Sequence, residues 1–246
     1  MIEVQSRKFL YRKKCVWFAD KPFDIDNCDA AFFYAVKNSH NIPGFTCATS
    51  NTLLIDLSPS EDDIKKAMSK NCRYEVNRAM REGLAIRKNK HQQEFYELYT
   101  QFVKAKRFDG DLDRYWDLAA AGNLYTCHYR GQLIAGLLTL QDDMQARWLL
   151  SGSLRLSVDD KQMTMISGLA NRLLVWEALL DAKQQGIQLF DLGGYYNGDD
   201  QSNPEYRIAR FKKGFGGKPT EQFKYSKYYS PSLRFIKRLK KLKCQQ

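Results

Sequence analysis

The residues with the most chemistry to offer lie in one stretch. They are Asp191, within Asp191-Leu192-Gly193-Gly194-Tyr195-Tyr196, and the pair Lys212 and Lys213, within Phe211-Lys212-Lys213-Gly214-Phe215-Gly216-Gly217. A carboxylate at the end of a strand can take a proton from an attacking amine or orient an acceptor. It can equally satisfy the N–H groups of a following Gly-Gly turn, and both readings stay open for Asp191. Lys212 and Lys213 can hold a phosphate or steady a developing negative charge. Lysines in the last turn of a helix also complement its dipole. Neighbouring helical residues point about 100° apart, so one lysine can serve a site while the other serves the helix, and the spacing does not choose between them. Tyr195, Tyr196 and Tyr206 can stack on a sugar or base, or simply wall a cleft. No Ser-His-Asp arrangement is visible. His40, His91 and His128 are scattered, and only His128 falls on a strand near the expected cleft, where it reads as structural.

The elements around these residues are well signalled. Ile166, Leu169, Leu173, Trp176 and Leu180 recur at steps of three and four, which makes one apolar helical face. Gly186 follows as the stop. Ile187 to Leu192 is an apolar run of strand length. Asn203-Pro204-Glu205 opens a short helix, with Asn as cap, Pro at the first position and an acid in the first turn. In such a helix, strand and helix unit, ligands tend to sit where the strand ends.

A second basic constellation lies upstream. Thr52 to Leu57 reads as a strand, and a helix capped by Ser58 or Ser60 is expected to run to Arg81 and stop at Gly83. Ile64, Met68, Cys72, Val76 and Ala79 form its apolar face. On a single helix Lys66, Lys70, Arg73, Asn77 and Arg81 fall within about a quarter of the circumference, nearly opposite that face. Cations at this spacing repel one another, which is easier to understand if an anion lies along them. Tyr74 and Arg78 sit one turn apart beside the stripe.

Between the two constellations come helices over 92–104 and 112–121. A three-strand meander follows over 124–130, 133–140 and 145–151, with turns at Gly131-Gln132 and Gln141-Asp142-Asp143. A last strand is expected over 220–228. Residues 1–50 say less: Phe9 to Phe18 reads as a basic edge strand, and Ala30 to Val36 as strand or helix. The whole pattern is α/β with a mixed sheet.

Bulk composition narrows the class. Hydrophobic content of 43% and charged content of 27% suit a globular chain, and 246 residues suffice for a sizeable core. The six cysteines (15, 28, 47, 72, 127 and 244) have no C-x-x-C spacing, so they indicate neither a zinc site nor a disulfide framework. Arg7, Lys8, Arg12, Lys13 and Lys14 interrupt every early apolar run, and no stretch has the ~18 apolar residues needed to span a bilayer. A cytoplasmic location is expected. The net charge is +11, and six of the cations lie in residues 231–246, which hold no acid. Leu233, Ile236, Leu239 and Leu242 recur among them every three residues. This tail reads as a solvated basic end, as an interfacial helix on an anionic membrane surface, or as an RNA contact.

Two blocks carry a resemblance to a known family. The segment LLVWEALLDAKQQGIQLFDLGG…YRIARFKKGFGG resembles the C-terminal signature of the Fem-type (FemAB-like) aminoacyltransferases, a branch of the GNAT acyltransferase superfamily. LLIDLSPSEDDIKKAMSKNCRYEVNRAMREGLAIR resembles the family's earlier strand and helix, with Arg73, Tyr74 and Arg78 at the positions of its Arg-Tyr-x-x-x-Arg-x-Ala core. The blocks stand in the expected order, about 90 residues apart. The resemblance implies a GNAT-like, largely antiparallel mixed sheet flanked by helices. It also implies a shortened N-terminal lobe over residues 1–90, a full transferase lobe over 91–230 and the basic tail beyond. The Gln/Arg-x-x-Gly-x-Gly/Ala loop that holds acetyl-CoA in many GNAT enzymes has no counterpart over residues 151–168.

The implied activity is formation of an amide on a cell-envelope glycan or peptidoglycan precursor, nucleotide-activated or lipid-linked. Aminoacyl-tRNA would be the donor, as co-substrate and not as a bound cofactor, and no metal is implied. Asp191, Lys212 and Lys213 would be the catalytic candidates. Arg73, Tyr74, Asn77, Arg78, Tyr195, Tyr196 and Tyr206 would bind substrate, and a lipid-linked acceptor would place the enzyme at the inner membrane face. Two alternatives remain: an N-acyltransferase using acyl-CoA or acyl carrier protein on a nucleotide-activated amino sugar, and a non-catalytic RNA- or membrane-binding module. The transferase reading requires both blocks to meet in one cleft.

Overall fold

Side-chain caps from Ser60, Ser69, Asp160 and Asn203 start four of the helices in this computed structural model. It describes residues 1–8, 10–108 and 110–243; beyond residue 237 only the backbone of the last helix is described. Phe9, expected to begin a strand, and residues 244–246 of the basic tail therefore lie outside the described residues. The chain opens with β1 (Ile2–Lys8), β2 (Tyr11–Trp17), β3 (Ala30–Val36) and β4 (Thr46–Asp56). Next come α1 (Glu61–Ala67), α2 (Lys70–Ala79), β5 (Ala85–Lys88), α3 (Gln92–Lys106) and α4 (Tyr115–Ala121). The meander is β6 (Asn123–Tyr129), β7 (Gln132–Gln141) and β8 (Gln145–Ser153). The chain continues through α5 (Lys161–Gln184), β9 (Leu189–Gly194), α6 (Pro204–Lys213), β10 (Lys218–Tyr228) and α7 (Pro231–Lys243). No described helix is long and apolar enough to cross a membrane.

Residues 1–50 with those from 221 onward form one compact unit, and residues 51–220 form the other. In the first, strands run in the order β1-β2-β3-β10, with β2 and β3 parallel and the other pairs antiparallel. The Ala30–Val36 run is thus a strand, and it buries Ala31, Phe33 and Val36 with Val16 and Tyr225. In the second, the order is β4-β9-β8-β7-β6-β5, where only β8 and β9 pair in parallel. The sheet is mixed and largely antiparallel, as expected of a GNAT-like architecture. The core of the second unit joins Leu53 and Ile55 of β4, the apolar faces of α1 and α2, the buried length of α5, and Phe190, Leu192 and Phe215.

The strand expected at an edge over 9–18 is β2, which lies between β1 and β3 because Ile2–Lys8 pairs on its outer side. Three further features differ from the sequence reading. The helix expected from Ser58 or Ser60 to Arg81 is two helices. Ser60 caps α1, accepting from Asp63 N–H, and Ser69 caps α2, accepting from Cys72 N–H at 3.2 Å. Met68 between them is extended, and Ser69 N–H leaves the helix path to reach Gly214 O at 2.9 Å. An interior serine with a tertiary partner has acted as a cap, as its hydroxyl chemistry permits. The five-residue basic stripe is broken as a result, since Lys66 belongs to α1 and the rest to α2 and the turn after it. Secondly, the four-residue strand β5 carries too short a pattern to register. Thirdly, a boundary at residue 90 falls inside the second unit, because α2 packs along α5.

Candidate active site

Arg147 and Asp191 are the last of three register pairs between β8 and β9, after Gln145↔Leu189 and Ala146↔Phe190. Beyond them β9 keeps β4 as its partner (Thr52↔Gly194) and β8 keeps β7, so the two parallel strands part. A bulge follows at once in β8: Trp148 faces Thr139 and Leu150 faces Leu138, which leaves Leu149 as the extra residue. A bulged residue sits outside the ladder and bends its strand. The parting of β8 and β9 forms the floor of the site.

Asp191 is 0% exposed. Its carboxylate accepts from Thr52 Oγ1, from Arg147 Nη1, and from Gly193 N–H at 2.7 Å. Thr52 Oγ1 also lies 2.9 Å from Gly193 O. Gly193 has φ +76°, and a Cβ there would stand 3.0 Å from Trp148 O. Only glycine fits this turn without strain. Asp191 thus satisfies the N–H of the glycine turn. With both oxygens engaged and no solvent contact, the carboxylate orients Arg147 and the turn.

The lysines separate as helical geometry demands. Lys213 is exposed, whereas Lys212 is 8% exposed and turned inward from the last turn of α6. Lys212 Nζ donates to Gly194 O at 2.8 Å and lies 4.9 Å above the Trp148 ring. Burial, and then the nearby Arg147 guanidinium, lower its pKa to about 8, against the opposing pull of Asp191 and Glu205. A desolvated ammonium thus stands beside the gap between β8 and β9. The residues 212–214 reach this place because Asn203 Oδ1 accepts from Glu205 N–H at 2.8 Å and Pro204 starts α6 where expected.

The upstream block meets this site through packing. Arg172 of α5 is ion-paired with Glu75 of α2, and its guanidinium lies 4.6 Å over the Phe211 ring. Phe211 stands edge-on to Trp148, with centroids 6.2 Å apart. A continuous path runs from α2 through α5 and α6 to Lys212. Arg73, however, turns back to α1, where Nη1 donates to Lys66 O at 3.0 Å and Lys65 O at 3.5 Å. It closes the open carbonyl end of α1, a role that cations fill well. Arg78 pairs with Glu82 at 2.9 Å and touches Met165 Sδ at 3.1 Å. Tyr74 is 58% exposed and Asn77 half-buried. Tyr195 packs against the core and its N–H donates to Asn51 O at 2.9 Å. Tyr196 lies over Gly198, and Tyr206 is half-buried in the first turn of α6.

His128 lies on β6, three strands from β9, and so stands away from this floor. Thr52, Arg147 and Trp148 carry the site as much as the residues singled out from sequence. Arg147 had a visible signal, a cation inside an apolar strand run, but its partner is 44 residues away. Glu177, placed on α5 by the family block, has its pKa raised by burial and then by Asp181.

No family model matches the chain, and no curated protein matches it in sequence. Solved structures do. The crystal structure of FemX superposes with a TM-score of 0.66 at 12% identity, over 95% of this chain and 85% of that one. The structure of L-PGS from Bacillus licheniformis gives 0.51 at 12% identity, over 84% and 70%. A conserved protein of unknown function from Bacteroides thetaiotaomicron gives 0.52 at 12%, over 76% and 63%. This chain has a FemX-like fold.

Proposed function

We propose that the protein is an amide-forming acyltransferase that moves an aminoacyl group from aminoacyl-tRNA onto a cell-envelope glycan or peptidoglycan precursor, nucleotide-activated or lipid-linked. The observation that carries this reading is the buried Lys212 ammonium beside the gap where β8 and β9 part. In support stand the two Fem-type sequence blocks, joined by the path from Glu75 to Lys212, and the Fem-like fold.

An aminoacyl ester is already activated, so the protein has mainly to align a neutral amine with it. Alignment alone offsets about 7–11 kcal/mol of barrier. The amine nitrogen bonds to the ester carbonyl carbon, the bond from that carbon to the ribose oxygen breaks, and the amine proton ends on the released ribose hydroxyl. Negative charge builds on the carbonyl oxygen in between. A desolvated ammonium placed there lowers the barrier by roughly 3–4 kcal/mol. With a pKa of about 8, Lys212 is mostly protonated at neutral pH and can fill that role. Asp191 and Arg147 hold the floor rigid.

The test is transfer of a radiolabelled amino acid from charged tRNA to nucleotide-linked and lipid-linked muropeptides, scored as base-stable amide. Label should move with the native protein, and Lys212→Met should slow turnover about 10²–10³-fold. Consumption of an acyl-CoA or acyl-carrier thioester, with charged tRNA left intact, would overturn the donor. Salt-sensitive tRNA or vesicle binding without any transfer would mark a binding module.

A further inference from the structure

A second constellation lies away from this floor, at the start of α3. His91, Glu94 and His128 bring one donor atom each to within 4.8 Å of the others. His91 Nδ1 is 2.7 Å from Glu94 Oε1, and the rings of His91 and His128 stand 4.6 Å apart, tilted by 57°. The first two residues are three apart, the helical spacing that puts side chains side by side.

Three local departures coincide here. His91 has φ +61°, a left-handed conformation unusual for a residue with a side chain, yet its carbonyl still accepts Phe95 N–H at 3.0 Å to start the helix. The register of β6 against β7 breaks at His128: Cys127 faces Ala135 but His128 faces Leu133, which skips Ile134. Such irregularities re-aim side chains. Finally, both ring nitrogens of His128 are buried and neither makes a hydrogen bond of good geometry, its backbone neighbour Ala85 on β5 offering only a loose contact. A neutral imidazole carries one N–H donor and one lone pair, and leaving both unused is unfavourable unless something else engages them.

We propose that His91, Glu94 and His128 bind a divalent transition-metal cation, Zn²⁺, clamping the start of α3 to β6. Two imidazoles and a carboxylate with an open fourth position suit this ion. Tetrahedral zinc with bonds of about 2.0–2.1 Å places its ligand atoms about 3.4 Å from one another. The separations here, from 2.7 Å between His91 and Glu94 to no more than 4.8 Å, lie on either side of that spacing. His91 and Glu94 are exposed, which leaves the fourth position to water and gives the ion an entry path. At about 4.8 Å per strand, β6 is about 14 Å across the sheet from β9. The clamp is structural and independent of the acyl-transfer reading.

The experiment uses the tag-free, metal-stripped full chain, titrated with Zn²⁺ against a chromogenic chelator and separately with Co²⁺. One equivalent should bind, Co²⁺ should show the visible bands of a tetrahedral nitrogen–oxygen site, and Zn²⁺ should raise Tm. His91→Asn and Glu94→Gln, both on exposed side chains, should each weaken binding on the order of tenfold or more and remove the Tm rise. The proposal is overturned by no stoichiometric binding, by binding that survives in the H91N/E94Q double variant, or by a thiolate charge-transfer band that places the ion on cysteines.

Discussion

Arg147 and Asp191 face each other in the parallel register of β8 and β9, and their ion pair holds a carboxylate with no exposure to solvent. Removing one partner strands the other in a region of low dielectric, at a cost of about 3–5 kcal/mol. Asp191→Ala and Arg147→Met should each lose that much in urea denaturation. The double variant should lose less than the sum, with a coupling of about 0.5–3 kcal/mol. Losses under 1 kcal/mol for both single variants would show that the pair does not hold the floor together.

Lys212 makes stability depend on pH in a defined direction. Its folded pKa of about 8 lies below the ordinary lysine value, so the unfolded chain binds more protons between those two values. Stability must therefore rise as pH passes from about 8 towards 10.4, as the penalty for the buried charge is relieved. Lys212→Met has no such term. Subtracting the stability of Lys212→Met from that of the native chain removes the tyrosines and other common groups. The difference should climb by about 2–3 kcal/mol between pH 7.5 and 10. A flat difference would mean that Lys212 titrates normally.

The final motif contains a glycine whose role is steric as well as conformational. Gly216 has φ +84°, and a Cβ there would stand 2.6 Å from Ala67 O at the end of α1. Gly186, at φ +80°, has nothing within 4 Å. Gly186→Ala should therefore cost only the left-handed backbone term, about 1–2 kcal/mol. Gly216→Ala adds a backbone clash and should lose about 3 kcal/mol or more. Equal losses in thermal denaturation would exclude the close approach of the motif to α1.

The cations of α2 and of the turn after it should divide into two kinds. Arg73→Ala removes the bond to Lys66 O and should cost about 1 kcal/mol of stability. Lys70 and Arg81 are exposed, and replacing either by Gln should leave stability within about 0.5 kcal/mol. If charged tRNA lies along this helix, those same two changes should lower the slope of log affinity against log salt by about 0.7–0.9 each. Filter binding over a salt series reads the slope directly. Unchanged slopes would move the RNA contact elsewhere.

Much of the local structure was legible because its causes are local. Asn203-Pro204-Glu205 starts α6 by its own cap, the α5 face follows from apolar spacing, and the meander follows from alternating runs between turn residues. The Fem-like order of elements was readable for the same reason. Ser69 was not legible as a helix break, since its capping geometry is shared with Gly214, 145 residues further along. Nor was β5, whose four residues become a strand only through β6.

By itself, then, the chain's order of residues determined most of the secondary elements, the α/β class and the presence of Asp191, Lys212 and Lys213 in one short segment. The tertiary structure decided which of them face the site. It buried Lys212 over Trp148 and left Lys213 in solvent, closed Asp191 with Thr52 and Arg147, and turned Arg73 back to α1. Periodicity and caps are carried by neighbours within a few residues, but a charge's role depends on which distant donors and how much water surround it once the strands have paired.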